Sequence, residues 1–285
     1  MKLFSIAATC LASIFIVKAA PVSNIVSGKH FDRVVIFIFE NENYSKVHSD
    51  PFFGSLATKY NALTHPSQPN YIGLITGSLD GVTDDSEVTV DRPSIIDLLE
   101  AKGISWKGYM EGYDGSSGCN TVMKSGTYAR KHDPFMSVQS IQTNKDRCAK
   151  IVNADELLDD IAKDQVPQFV FYTPDMNNDG HDTSLTFASN WFQGFLEGTD
   201  GQKGVIDEPA FNTNTMFVST WDEAKDYTIA NQVQTVLFGP DFKKSSTATS
   251  DNTKYDHYSL LHTIEDNWSL GDLGQKDHSA NLINL

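Results

Sequence analysis

The run Val34-Val35-Ile36-Phe37-Ile38-Phe39 is built entirely of β-branched and aromatic residues, with no polar side chain to interrupt it. A strand with one wet face alternates apolar and polar residues. A run with no such alternation predicts a strand covered on both faces, inside a parallel sheet. Parallel neighbours require crossover connections, usually helices, so this stretch alone directs the chain toward an α/β fold. The run ends at once in Glu40-Asn41-Glu42-Asn43. In open α/β sheets, ligand groups lie beyond the carboxyl ends of the strands, which makes this polar burst a candidate site.

The same pattern recurs twice. Gln168-Phe169-Val170-Phe171-Tyr172 leads into Asp175 to Asp182, which includes Asp179, His181 and Asp182, and Met216-Phe217-Val218-Ser219-Thr220 leads into Trp221-Asp222-Glu223. Ile104 to Met110 and Thr235 to Phe238 read as further strands. Helices are predicted between them: Pro51 to Leu63 with Leu56, Ala57 and Tyr60 inward, and one opened by Pro93 and closed by Gly103. Asn153 and Glu156 suggest a capping box before Leu157, Leu158 and Ile161, taken as an inward face. Ser184 to Leu196 and a last helix carrying Leu260, Leu261, Ile264 and Trp268 complete the alternation. Asp84 to Asp91 reads as an acidic, exposed connection. The expected architecture is a mostly parallel sheet with helices on both faces, in one domain over residues 20–285.

Between the first strand and the first crossover lies Thr64-His65-Pro66-Ser67-Gln68-Pro69-Asn70-Tyr71, continuing through Leu74 to Gly77. Ser67 before Pro69 and an apolar run at helical spacing reads as a helix N-cap. The free N–H groups at a helix start favour an anion, and a serine facing a bound phosphate is placed to attack it. An ordinary cap serine is the first reading of this segment taken alone, and only partners elsewhere reverse that order.

Those partners come from the strand ends. On a parallel sheet, Glu40/Asn41, Asp179/His181/Asp182 and Asp222/Glu223 fall on one edge. Clustered carboxylates repel and raise one another's pKa unless a cation lies between them, and oxygen and imidazole donors suit a divalent metal. A cation beside Ser67 would neutralise charge on a transferring phosphoryl group. Arg130-Lys131-His132 concentrates positive charge in an otherwise acidic chain, of value to an anion site if it folds over one.

Composition narrows the partners. The formal charge is −15 and the pI about 4.8, a poor match for nucleic acid or anionic membranes. Met1 to Ala19 reads as a secretory signal, and no other stretch has the length of apolar sequence a membrane span requires. Export would let the two remaining cysteines, Cys119 and Cys148, pair. Asn43-Tyr44-Ser45 and Asn267-Trp268-Ser269 fit the glycosylation acceptor pattern.

Taken together, Phe39-Glu40-Asn41-Glu42-Asn43-Tyr44, Thr64 to Tyr71, Asp179-Gly180-His181-Asp182, Trp221-Asp222-Glu223 and His257-Tyr258-Ser259 resemble the phosphoesterase family of secreted fungal acid phosphatases. Bacterial acid phosphatases and bacterial and plant phospholipases C are similar. The resemblance implies an alkaline phosphatase-like three-layer sandwich and hydrolysis of small phosphate esters through a phosphoserine on Ser67. It implies a divalent metal held by Glu40, Asn41, Asp222 and Glu223, with Asp179 and His257 as further ligands. His132, His181 and Asp182 are expected in catalysis, and Asn70 and Lys131 in substrate binding. Relatives often carry two aspartates where this chain has Asp222-Glu223. A phosphodiesterase or phospholipase C on the same core is the alternative activity, and a non-enzymatic anion-binding protein the alternative class.

Overall fold

The Val34–Phe39 run lies where a strand with no polar face must, at the centre of a sheet, and each of its residues is at most 2% exposed. In the computed structural model, residues 25–55, 60–116, 118–199, 201–240 and 253–285 are described. The expected secretory signal lies outside them. Six strands, β1 (Arg33–Phe39), β2 (Trp106–Met110), β3 (Ile151–Asn153), β4 (Phe169–Thr173), β5 (Thr215–Trp221) and β6 (Thr235–Phe238), form one sheet in the order β6-β5-β1-β4-β2-β3. All neighbours are parallel except β6. The link from β5 to β6 holds no crossover helix, so β6 returns antiparallel and pairs Val236 with Ser219. Because β1 lies between β4 and β5, the three polar bursts end on neighbouring strands of one edge.

Helices cover both faces. The principal ones are α1 (Tyr44–Ser49), α2 (Ser67–Thr76), α3 (Ile95–Ala101), α4 (Glu156–Ala162), α5 (Leu185–Glu197) and α6 (His257–Asn267). Alternation along β1 sends Phe37 and Phe39 to one side, where both rings meet Phe192 of α5 at 4.9 Å. Phe53 and Trp221 join that cluster, so Phe192→Ala would cost about 3–5 kcal/mol. On the other side α2, α3 and α6 pack together with the segment Pro134–Ser137, whose Phe135 meets Phe171 of β4.

Several local expectations are corrected. Tyr60 does not continue a helix from Pro51. It pairs in a small second sheet made of Tyr60–Asn61, Gln232–Val233 and Tyr255–Asp256, while Leu56 and Ala57 lie outside the described residues. Asn153 ends strand β3 instead of capping α4, and its Oδ1 accepts the N–H of Asp155. Leu158 is 61% exposed, whereas Asp160 turns inward to accept Tyr109 Oη–H at 2.6 Å and pair with Lys107. The polarity of Asp160 hid its face, because a carboxylate buried with two partners looks in sequence like a solvated one.

Cys119 and Cys148 form a disulfide, with Cα atoms 5.1 Å apart. Of the two glycosylation triplets, Asn267 is sealed: it is 1% exposed, its Oδ1 accepts the N–H groups of His30 and Phe31, and its Nδ2 donates to Phe31 O. That amide nitrogen has no room for a glycan. Among the described residues no helix is long and apolar enough to cross a membrane.

Candidate active site

The helix α2 starts with Ser67 itself. Pro66 holds the N-cap position without a side-chain cap bond, one residue earlier than the sequence suggests. The hydroxyl is thereby released from capping. Ser67 is 1% exposed, and its Oγ–H lies 3.0 Å from Glu40 Oε2, just past β1, and 3.2 Å from Glu223 Oε1, just past β5. One proton cannot serve both acceptors, so both contacts hold together only when one carboxyl is itself protonated.

The loop ahead of Ser67 is held by Asn70. Its Oδ1 accepts from the N–H groups of Leu63 and Thr64, and its Nδ2 donates to the carbonyls of Thr64 and Pro66. All of its hydrogen-bonding capacity is used inside the protein. Asn70 therefore braces the turn that presents Ser67, which corrects its expected place in substrate binding. Tyr71, one helical turn beyond Ser67, donates to Glu40 Oε1 at 2.9 Å and stacks on His132. In the sequence Tyr71 reads as part of an apolar run, although the i, i+4 spacing places it on the same face as Ser67.

The carboxylate cluster is tight. Asn41 adopts φ +31°, a left-handed conformation that asparagine tolerates, and its N–H donates to Asp222 Oδ1 at 3.2 Å. Asn41 Oδ1 and Asp222 Oδ2 are both buried without a protein partner. Burial, with the charges of Glu40 and Glu223, pushes the Asp222 carboxyl well above its ordinary range. Burial and the Glu40 charge raise Glu223 to about 8. Two orphaned oxygens among mutually repelling carboxylates are of the donor type that suits a hard divalent cation.

Next to this cluster, His132 is buried between two carboxylates, with Nε2 2.9 Å from Glu40 Oε1 and Nδ1 3.3 Å from Asp179 Oδ2. The donor atoms of Glu40, His132 and Asp179 all lie within 4.8 Å of one another, a group that could also hold a metal ion. Burial opposes charge on His132, but Glu40 and Asp179 outweigh it and raise the ring to about 9. Burial likewise opposes charge on Glu40, and the His132 ring with Lys131 and His181 overrides it, holding that carboxyl low. Asp179 is raised to about 6 by burial, against the pull of His132. Both ring nitrogens of His132 lie within ion-pair distance of carboxylates, while Nε2 and Asp179 Oδ2 make no hydrogen bond.

His181 is better exposed. Its Nδ1 lies 2.8 Å from Asp182 Oδ1, and its Nε2 3.4 Å from Lys131 Nζ. Lys131 also donates to Asp85 Oδ2 at 3.3 Å, and Asp85 Oδ1 accepts the N–H of Gln68 at the start of α2. Asp85 thus belongs to the site despite its place in an acidic connection that reads as solvated. Arg130, the third member of the basic cluster, is buried away from it on the carbonyls of Val88 and Met136. His257, expected among the metal ligands, stands behind them. Its Nε2 lies 2.9 Å from the Asp222 carbonyl and its Nδ1 3.2 Å from Tyr60 Oη, so both ring nitrogens are spent on protein partners. His65 was not singled out in the sequence. Its Nδ1 makes a short contact with Glu223 Oε2, and its ring stacks on Tyr227.

A helix-borne serine facing carboxylates at the carboxyl edge of a mostly parallel sheet is the arrangement expected of a phosphoesterase. Residues 52–271 match the Phosphoesterase family, and the chain belongs to that family. It is 35% identical over 281 residues to a probable acid phosphatase of Kluyveromyces lactis, covering 94% of this chain and 65% of the relative. It is 32% identical over 279 residues to an acid phosphatase of Aspergillus fumigatus, covering 93% and 61%. With a phosphatidylinositol-3-phosphatase of Mycobacterium tuberculosis it shares 29% identity over 267 residues, covering 90% and 83%. The chain spans under two thirds of the length of these two fungal relatives. Among solved structures, the lipoteichoic acid synthase LtaP of Listeria monocytogenes superposes with a TM-score of 0.53 at 9% identity, covering 87% of this chain and 76% of that one. A complex of Ps i-CgsB with k-i-k-neocarrahexaose superposes at 0.52 with 11% identity, covering 90% and 75%. These two likenesses concern the fold.

Proposed function

We propose that this chain is an exported acid phosphatase that hydrolyses phosphate monoesters through a phosphoserine on Ser67. The observation that carries the reading is the buried Ser67 hydroxyl at the start of α2, within hydrogen-bond reach of Glu40 and Glu223. The acid phosphatases of Kluyveromyces lactis and Aspergillus fumigatus, similar over nearly the whole chain, support the substrate class. Export rests on the signal-like character of Met1 to Ala19.

In this reading Ser67 Oγ attacks phosphorus and gives its proton to a neighbouring carboxylate. A new Oγ–P bond forms as the P–O bond to the alcohol breaks. His181, oriented by Asp182, protonates the departing oxygen, and Lys131 pairs with the phosphoryl oxygens. In the second half, the same imidazole takes a proton from water, whose oxygen bonds to phosphorus. The Oγ–P bond then breaks, Ser67 recovers its proton and phosphate leaves. A divalent cation held by Glu40, Asn41, Asp222 and Glu223 supplies, when bound, neutralisation of the carboxylates and of the phosphoryl charge.

Ser67→Ala tests the reading on a simple aryl phosphate at acidic pH. Turnover should fall by at least ~10³-fold with an unchanged melting temperature, as for loss of a nucleophile. A variant that keeps more than a tenth of the activity excludes Ser67 from covalent catalysis. A phosphodiesterase or phospholipase C on the same core predicts instead that dispersed phospholipid is hydrolysed faster than the aryl monoester.

A further inference from the structure

An exposed aromatic ring borders the polar site. Tyr227 lies on the turn that follows Glu223, and its side chain is 58% exposed. One face of its ring stacks on His65, with centroids 3.9 Å apart and planes at 25°. Its hydroxyl reaches Glu223 Oε1 at 3.5 Å, the same oxygen that Ser67 Oγ approaches at 3.2 Å. The tyrosine hydroxyl and the serine hydroxyl thus approach a single oxygen, and the exposed ring is tied to the carboxylate that Ser67 faces.

This turn is built, not loose. The Asp226 N–H donates to Asn43 Oδ1 at 3.0 Å, and Asp226 Oδ1 in turn accepts from the N–H and hydroxyl of Thr228. Asn231 closes it by accepting the Ala224 N–H and donating to the Thr64 carbonyl on the Ser67 loop. A large aromatic side chain held open to solvent beside charged groups leaves unburied surface that a substrate can cover. The group that reaches it is the organic part of the ester, since the phosphoryl group must sit at Ser67.

The geometry points to Tyr227 as a platform for the leaving alcohol, selecting phosphate monoesters whose organic group is aromatic or otherwise flat and apolar. This rests on the phosphomonoesterase reading above and adds to it a substrate class. The hydroxyl of Tyr227 serves to orient the ring through Glu223, and the His65 stack fixes its plane.

The test compares benzyl phosphate with 2-hydroxyethyl phosphate, two esters of alcohols with similar acidity, so that their difference reports binding of the organic group and not leaving-group chemistry. In the intact chain the ratio of kcat/KM, benzyl over hydroxyethyl, should exceed unity. Tyr227→Ala should lower that ratio about tenfold, the worth of one aromatic pair. Tyr227→Phe keeps the ring and should hold the ratio within about twofold of the parent, as should Phe187→Ala, which removes an exposed aromatic side chain on α5. An active protein whose Tyr227→Ala variant loses both substrates equally, or neither, overturns the platform and leaves the phosphatase reading standing. A protein that hydrolyses neither ester overturns both.

Discussion

Glu265, on α6, is fully buried, and neither of its carboxyl oxygens has a hydrogen-bond partner. Burial, reinforced by the charges of Asp277 and Asp272, raises its pKa from an ordinary 4.5 to about 9. The neighbouring loop offers no relief: Asp277 spends its oxygens on the N–H groups of Leu273 and Gln275, and the Asp272 charge is shared with His278. The folded protein therefore holds a proton that the unfolded chain releases. The associated stability is complete below pH 4.5 and fades as pH rises toward 9. The slope is about 1.4 kcal/mol per pH unit, so from about pH 5 to pH 7 the group withdraws roughly 3 kcal/mol. At about 2–4 °C per kcal/mol for a domain of this size, the melting temperature falls on the order of 6–12 °C over that interval. Glu265→Gln keeps the shape and has no proton to lose. Melting curves followed by circular dichroism across that range should show the variant close to the parent at the acidic end and above it at neutral pH. Parallel pH profiles for the two proteins would refute the argument, because Glu265 would then be ionised, or solvated, in the folded state.

Three further outcomes follow from the site and its supports. Asn41→Ala removes an orphaned amide oxygen while leaving the carboxylates, and should lower the divalent cation retained after dialysis, read by elemental analysis, together with a loss of activity of about 10–100-fold. Asn70→Ala removes the acceptor of the Leu63 and Thr64 N–H groups and one donor to each of the Thr64 and Pro66 carbonyls, the first of which keeps Asn231. It should lower stability by about 2–4 kcal/mol in urea unfolding and depress kcat more than KM; an unchanged kcat would show that the Ser67 loop is held without it. Replacing Cys119 and Cys148 together by serine reopens a 29-residue separation and should cost about 2–4 kcal/mol, read by urea unfolding.

The sheet was legible because its signal is local and strong. An all-apolar β run has one kind of home, and β1, β4 and β5 each announced both their burial and the polar groups at their ends. Gly77 and Gly103 ended their helices as expected, at φ near +70°, where a side chain is disfavoured. The approach of Ser67 to Glu40 and Glu223 was an inference from strand order, and the parallel arrangement of β4, β1 and β5 brings those ends together. What the string of residues could not carry is the direction in which a polar side chain spends its hydrogen bonds. Asn70 and His257 looked like groups free to meet a ligand, yet each is consumed by partners from 4 to 197 residues away. Asp85 looked like surface, and the connection that carries it folds back onto the Ser67 edge. Propensity and periodicity arise from a residue's own backbone and near neighbours, so sequence alone determined the elements. Hydrogen-bond satisfaction and desolvation depend on atoms that only folding brings close, so tertiary structure decided which polar groups face a substrate and which brace those that do.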